Sequence, residues 1–163
     1  MKIYRQQPLI RPDLQAHIYS QALLDNVHNL KSLCRPDTKF CGVVKANAYG
    51  HGIAEVVNIL KKADVDFFAV ASIYEAIHIA HMVKKQSILI LEPLSPNAPP
   101  DHVSLCTKNG WHCVISSVEA MNFVEQLLSG SKRRINLHVN VETGMGRCGL
   151  DPAEAATLIA KID

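Results

Sequence analysis

Short apolar runs alternate along the chain with longer stretches in which apolar residues recur every three or four positions. The runs predict strands over residues 15–19, 40–45, 67–71, 88–91, 112–115 and 135–141. The periodic stretches predict helices over 21–33, 53–62, 73–83, 100–109, 118–128 and 152–162. Phe67-Phe68-Ala69-Val70-Ala71 and Ile88-Leu89-Ile90-Leu91 are apolar without alternation, as in strands of a buried parallel sheet. Repeated β/α units of about 20–25 residues predict an α/β fold, built either as a (β/α)8 barrel or as an open doubly wound sheet. Composition does not separate the two.

Several helix starts carry a chemical signal. Ser20, Ser72 and Ser117 stand just before periodic stretches, where a hydroxyl can accept from the free N–H groups of a first turn. Ser72 with Glu75 spells a capping box, and Glu119 places a negative charge in the turn after Ser117. Asp151-Pro152 pairs a capping side chain with proline at the first helical position.

At 163 residues the chain suits one domain with its own core, and 48% hydrophobic and 20% charged residues are ordinary for a globular protein. A formal charge of +2 predicts neither a nucleic-acid nor a membrane surface, and Lys132-Arg133-Arg134 reads as a solvated loop. Cysteines at 34, 41, 106, 113 and 148 are odd in number and lack a C-x-x-C pair, which favours a reducing cytoplasm over a disulfide framework or a zinc ribbon. No apolar segment follows Lys2 and Arg5 as in a signal peptide, and no apolar run reaches the roughly 18–20 residues that span a bilayer. His78, His81, His102 and His112 form no H-E-x-x-H set, so no metal is expected.

Candidate chemistry begins at Lys45, which ends the apolar run Cys41-Gly42-Val43-Val44. The C-terminal edge of a parallel sheet is where reacting groups gather, and a lysine there can form a Schiff base with a carbonyl cofactor. From position alone, a lysine capping a strand with its head in water is the commoner case. Tyr49 follows past the small residues Ala46-Asn47-Ala48 and could donate to a phosphate, or could simply pack. His51, between Gly50 and Gly52, is read as a structural hydrogen-bonding group.

The contiguous run Val44-Lys45-Ala46-Asn47-Ala48-Tyr49-Gly50-His51-Gly52 resembles the cofactor-lysine motif of bacterial alanine racemases. That resemblance implies a barrel of eight β/α units followed by a C-terminal β domain, a homodimer, and pyridoxal 5'-phosphate held as an imine by Lys45. Lys45 would also serve as one of two acid/base groups, and Tyr49 would touch the cofactor phosphate.

Val141-Glu142-Thr143-Gly144-Met145-Gly146-Arg147-Cys148-Gly149 reads two ways. Gly144, Gly146 and Gly149 satisfy G-x-G-x-x-G between a predicted strand and a predicted helix, the setting of a dinucleotide-binding loop. The stretch also resembles the racemase segment D-T-G-M-x-R-x-G, with Glu142 in place of the aspartate. By that resemblance Arg147 hydrogen-bonds the cofactor's phenolic oxygen and neighbours the substrate carboxylate. A guanidinium suits both tasks, being permanently charged with a rigid donor fork. Where many family members carry a carbamylated lysine that positions this arginine, the chain has neutral Asn140, so a bound anion such as chloride or a different hold on Arg147 is expected.

The resemblance runs from Ala22-Leu23-Leu24-Asp25-Asn26 to the end of the last helix. It implies that residues 1–163 are the N-terminal portion of the cofactor-binding barrel domain, an incomplete (β/α)8 barrel of about five strands without the C-terminal β domain. The second catalytic base, a tyrosine of the partner subunit, has no counterpart here. The expected function is that of an isomerase interconverting L- and D-alanine for cell-wall supply, with the isolated chain inactive and self-associating through its open sheet edges. A related serine or other amino-acid racemase, a pyridoxal-phosphate carrier on the same barrel, and a dinucleotide-binding fragment are the alternatives.

Overall fold

The computed structural model describes residues 16–83 and 87–162. Helix α1 (Ser20–Ser32) leads into β1 (Cys41–Val43), and the helical segments α2 (Lys45–Tyr49) and α3 (Ile53–Lys62) join β1 to β2 (Phe67–Val70). The pattern then repeats through α4 (Ile73–Ile79), β3 (Ser87–Pro93), α5 (Pro100–Asn109), β4 (His112–Ile115), α6 (Val118–Leu128), β5 (Asn136–Val139) and α7 (Pro152–Ile159).

Every strand pairs in parallel with its sequence neighbour, in the order β1-β2-β3-β4-β5. A doubly wound sheet reverses its order at a switch point, and no reversal occurs here. Curvature points the same way. Phe67 on β2 and His112 on β4 are separated by β3, which in a flat sheet would hold them about 9–10 Å apart. Their ring centroids lie 5.0 Å apart, edge to face, so this face of the sheet is concave. The architecture is an incomplete (β/α)8-type barrel of five strands.

Strands that read as uniformly apolar do alternate in their surroundings. Phe68, Val70, Ile88, Ile90, Cys113 and Ile115 are buried on the helix side, within clusters that include Val57, Leu60, Ala76 and Ile79 or Val103 and Val124. Gly42 belongs to that side because a Cβ there would come within 2.8 Å of Leu60 Cδ1. The concave face carries Val43, 42% exposed, and the partly buried Phe67, Leu89, His112 and His138, together with the buried Ala69 and Val114. Among the described residues no helix is long and apolar enough to cross a membrane.

The structure corrects several expectations. Residues 16–19 are not a strand, because nothing among the described residues supplies a ladder partner; Gln15, the start of that expected strand, lies outside the described residues. The strand expected over 40–45 is only Cys41–Val43, since the chain turns sharply after Val44. Two helices stop early, at Ile79 and Ile159, where Met82 N–H donates to the Ile79 carbonyl and Ile162 N–H to that of Ile159, tightening the last turn. Ser20 lies inside α1 and makes no cap, Tyr19 being the residue at the boundary.

Other starts behave as their residues imply. Ser117 accepts from Ala120 N–H at 3.1 Å. Asp151 accepts from Ala153 N–H at 2.9 Å, and Glu154 closes a full capping box back onto Asp151 N–H with Pro152 in the first turn. At Ser72 half of the expected box forms. Ser72 Oγ accepts from Glu75 N–H at 3.4 Å, but the Glu75 carboxylate passes over Ser72 N–H to other partners.

Candidate functional site

A cleft of about 540 Å³ opens at the C-terminal ends of the strands. Lys45 reaches it from just beyond β1, and Arg147 from the loop after β5. Its walls include Ala71 beyond β2, Leu91 and Glu92 on β3, and His138 on β5. β1 and β5 are the two edges of the sheet, about 19 Å apart if it were flat. Curvature gathers both cations into one cleft. An irregularity in the pairing between Ile90 and Pro93 bends the end of β3 at the cleft wall.

Lys45 is half-buried and follows Val44, which is fully buried and donates its N–H to Ala69 O at 2.8 Å. The chain then makes a left-handed turn. Ala46, Asn47, Ala48 and Tyr49 have φ of 51°, 55°, 53° and 55°, four successive residues with side chains in a conformation that costs about 1–2 kcal/mol each. Several hydrogen bonds hold it. Ala48 N–H donates to Val44 O at 2.9 Å and Gly50 N–H to Ala46 O at 3.0 Å. Asn47 Oδ1 accepts from Ile53 N–H at 2.8 Å, which ties the turn to the start of α3. His51 Nδ1 bonds Ala48 O at 2.8 Å, so this histidine has the structural role its setting suggested.

The turn separates the two residues of the lysine motif. Tyr49 is 59% exposed and lines a different groove, of about 380 Å³, with Tyr19, Leu23 and Val43. Lys45 and Arg147 are thus brought together, and Tyr49 is not brought to their cleft.

Arg147 sits in a closed loop. Leu150 N–H donates to Asn140 O at 2.8 Å and Glu142 N–H to Leu150 O at 2.9 Å, which bridges Val141 to Leu150 and fixes the loop ends. Within it the Glu142 carboxylate accepts from the backbone N–H groups of Gly144 and Arg147. Backbone N–H groups, those of Gly146 and Gly144 foremost, hold this carboxyl below its ordinary value of 4.5. A dinucleotide-binding loop needs those N–H groups for a phosphate, whereas here the chain's own carboxylate takes them. Asn140 ties down the backbone of the arginine loop rather than Arg147 itself. Its Nδ2 donates to Cys148 O at 3.2 Å and approaches Cys148 Sγ at 3.3 Å, one residue beyond Arg147.

Three interactions of the site were not legible in the sequence. His138 lines the cleft and bonds His112 at 2.8 Å between Nε2 and Nδ1; burial first, and His138 second, push the His112 imidazole below its ordinary value. Glu75 binds two backbone groups near Lys45, and Asn140 anchors Cys148. Among the described residues no cluster of three or more metal-ligating side chains exists.

The chain resembles known proteins in sequence and in fold. Residues 18–163 match the family model described as "Alanine racemase, N-terminal domain". The chain is 36% identical over 143 residues to an alanine racemase of Chlorobaculum tepidum, covering 86% of this chain and 37% of that protein. It is 37% identical over 131 residues to a serine/alanine racemase of Enterococcus gallinarum, covering 80% of this chain and 18% of that one. The fold matches the solved alanine racemase of Clostridium difficile 630 in complex with cycloserine, with a TM-score of 0.74 and 32% identity over 86% of this chain and 38% of the other. The chain spans less than two-fifths of the length of these relatives. By sequence and by fold, the chain belongs to the alanine racemase N-terminal domain family.

Proposed function

We propose that the complete protein is a pyridoxal-phosphate-dependent amino-acid racemase interconverting L- and D-alanine, and that residues 1–163 form the N-terminal portion of its cofactor-binding barrel domain. The observation that carries this reading is the convergence of Lys45 and Arg147, from opposite edges of the sheet, on one cleft. An amine and a guanidinium facing the same space fit a cofactor with one carbonyl carbon and one phenolic oxygen. When bound, pyridoxal phosphate draws electrons away from the substrate Cα.

Lys45 Nζ would hold the cofactor's carbonyl carbon and would take or return the proton at the substrate Cα on its own face. Arg147 favours the oxyanion of the ring and orients the substrate carboxylate. The lysine motif assigns the cofactor phosphate to Tyr49, a role that requires the turn after Lys45 to carry its exposed hydroxyl from the neighbouring groove to the cleft. Racemisation needs a second proton carrier on the opposite face, which we assign to a tyrosine of a partner subunit in a homodimer. We place the protein in the cytoplasm, in keeping with its five free cysteines. Self-association of this chain is expected through β1 and β5, which have no outer partner among the described residues. Serine is the alternative substrate, favoured by the 37% identity to the serine/alanine racemase.

The chain is tested by incubation with pyridoxal phosphate, borohydride reduction and peptide mapping. Label concentrated on Lys45 is expected; label spread over the lysines, or absent from Lys45, overturns the assignment. Tyr49→Phe should weaken binding of pyridoxal phosphate and leave that of pyridoxal, which lacks the phosphate, unchanged.

A further inference from the structure

The geometry points to Glu75 as the positioning residue of the lysine site, an inference that rests on the reading of Lys45 as the cofactor lysine. Glu75 lies in the first turn of α4 and is half-buried. Its Oε1 accepts from Ala46 N–H at 2.9 Å, and its Oε2 accepts from Ala71 N–H at 2.7 Å. Both are short bonds to a charged acceptor. The Ala46 N–H belongs to the peptide unit that leaves Lys45, so Glu75 fixes the plane of that peptide. Ala71 follows the last residue of β2 and lines the cleft with Lys45. One carboxylate therefore staples the ends of two adjacent strands beneath the cleft and holds the first residue of the left-handed turn.

An ordinary capping glutamate would satisfy the N–H of Ser72 and leave Ala46 alone. Here the side chain reaches across 29 residues of sequence to the one peptide whose orientation sets where the lysine stem departs. The α4 N-terminus favours the negative charge. Glutamine in its place has the same shape but a single acceptor oxygen, so one of the two N–H groups loses its partner. Aspartate keeps the charge and is too short to hold both. The Lys45 stem then samples directions away from the cleft, and its apparent affinity for an aldehyde cofactor falls with the fraction of chains correctly set.

The test uses the 163-residue chain with pyridoxal phosphate itself as probe. Wild type, Glu75→Gln and Glu75→Asp are titrated with the cofactor, reduced with borohydride, and the label on each lysine is quantified by peptide mass spectrometry. The half-saturation of Lys45 should rise roughly three- to tenfold in Glu75→Gln, the range expected for one lost charge-assisted bond in a partly exposed setting. Labelling of exposed Lys108 and Lys132 should stay as in wild type, and the thermal melt should fall by only about 2–5 °C, the loss expected of one bond. Wild-type chain that does not concentrate label on Lys45 refutes the lysine reading, whatever Glu75 does. Selective labelling with the same Lys45 half-saturation in both variants overturns the role of Glu75. Amide exchange of the wild-type chain gives a second readout independent of the variants' folding: Ala46 and Ala71 should both be protected, and free exchange at Ala46 overturns the proposal.

Discussion

Gly146→Ala and Gly149→Ala flank Arg147 on either side and separate two costs of a side chain. At Gly146 φ is +66° and a new Cβ meets nothing within 4 Å, so alanine bears only the left-handed penalty of about 1–2 kcal/mol. At Gly149 φ is +136°, and the Cβ would lie 2.6 Å from Glu142 N, 2.9 Å from Val141 C and 3.1 Å from Glu142 Cα. All three are backbone atoms of the Val141–Leu150 bridge and cannot rotate aside. Backbone strain and overpacking together come to about 3–5 kcal/mol. For a chain of this size that lowers Tm by about 6–20 °C, against about 2–8 °C for Gly146→Ala. Should the loop open locally, the loss in Tm is smaller and appears instead as faster exchange of the Glu142 and Leu150 amides, which close the bridge. Thermal melts read with amide exchange cover both routes. Equal melts and equal protection in the two variants would refute the packing assigned to Gly149.

Phe68→Ala should cost about 3–5 kcal/mol in urea unfolding, because Phe68 is wholly buried between sheet and helices. Asn140→Ala should speed exchange of the Arg147 loop with little change in Tm, since the side chain bonds Cys148 at the loop end and packs in neither hydrophobic cluster. Acidification should destabilise the fold through His112. Its folded value lies below the ordinary 6.5, so the unfolded chain binds more protons and stability falls as pH drops through 6.5. Thermal melts at about pH 8 and about pH 5.5 check this, and His112→Phe should flatten the difference.

β2, β4 and the helices α5 and α6 were legible to within a residue, because runs such as Phe67–Val70 and His112–Ile115 are apolar and bounded by capping or turn residues. Barrel order was not legible in the apolar pattern and came only from the family resemblance of the lysine and arginine motifs. Apolar runs specify that a strand is covered, and only the pairing and the Phe67–His112 contact reveal curvature. Lys45 and Arg147 stood out through their motifs, yet their common cleft depends on that curvature. The turn at Ala46-Asn47-Ala48-Tyr49 ran against local preference. Asn47 tolerates positive φ, but two alanines and a tyrosine do not signal it. Bonds from Ala46 N–H to Glu75 and from Ile53 N–H to Asn47 hold the turn, and a contact across 29 residues leaves no local trace.

The loops that bring Lys45 and Arg147 to the cleft share one design. Each carries residues at positive φ and each is held by a single carboxylate accepting from backbone N–H groups, Glu75 under Lys45 and Glu142 around Arg147. A carboxylate suits the task because it has acceptor capacity for several N–H groups and no donor to compete with them. The two differ in reach. Glu142 closes its own loop within five residues, so its loss should free Arg147 while leaving the sheet intact. Glu75 joins the ends of β1 and β2, so its loss acts on the lysine turn and on the cleft wall at Ala71 together. The helix layer supplies the stability of this incomplete barrel, while two half-buried glutamates hold the backbone from which Lys45 and Arg147 enter the cleft.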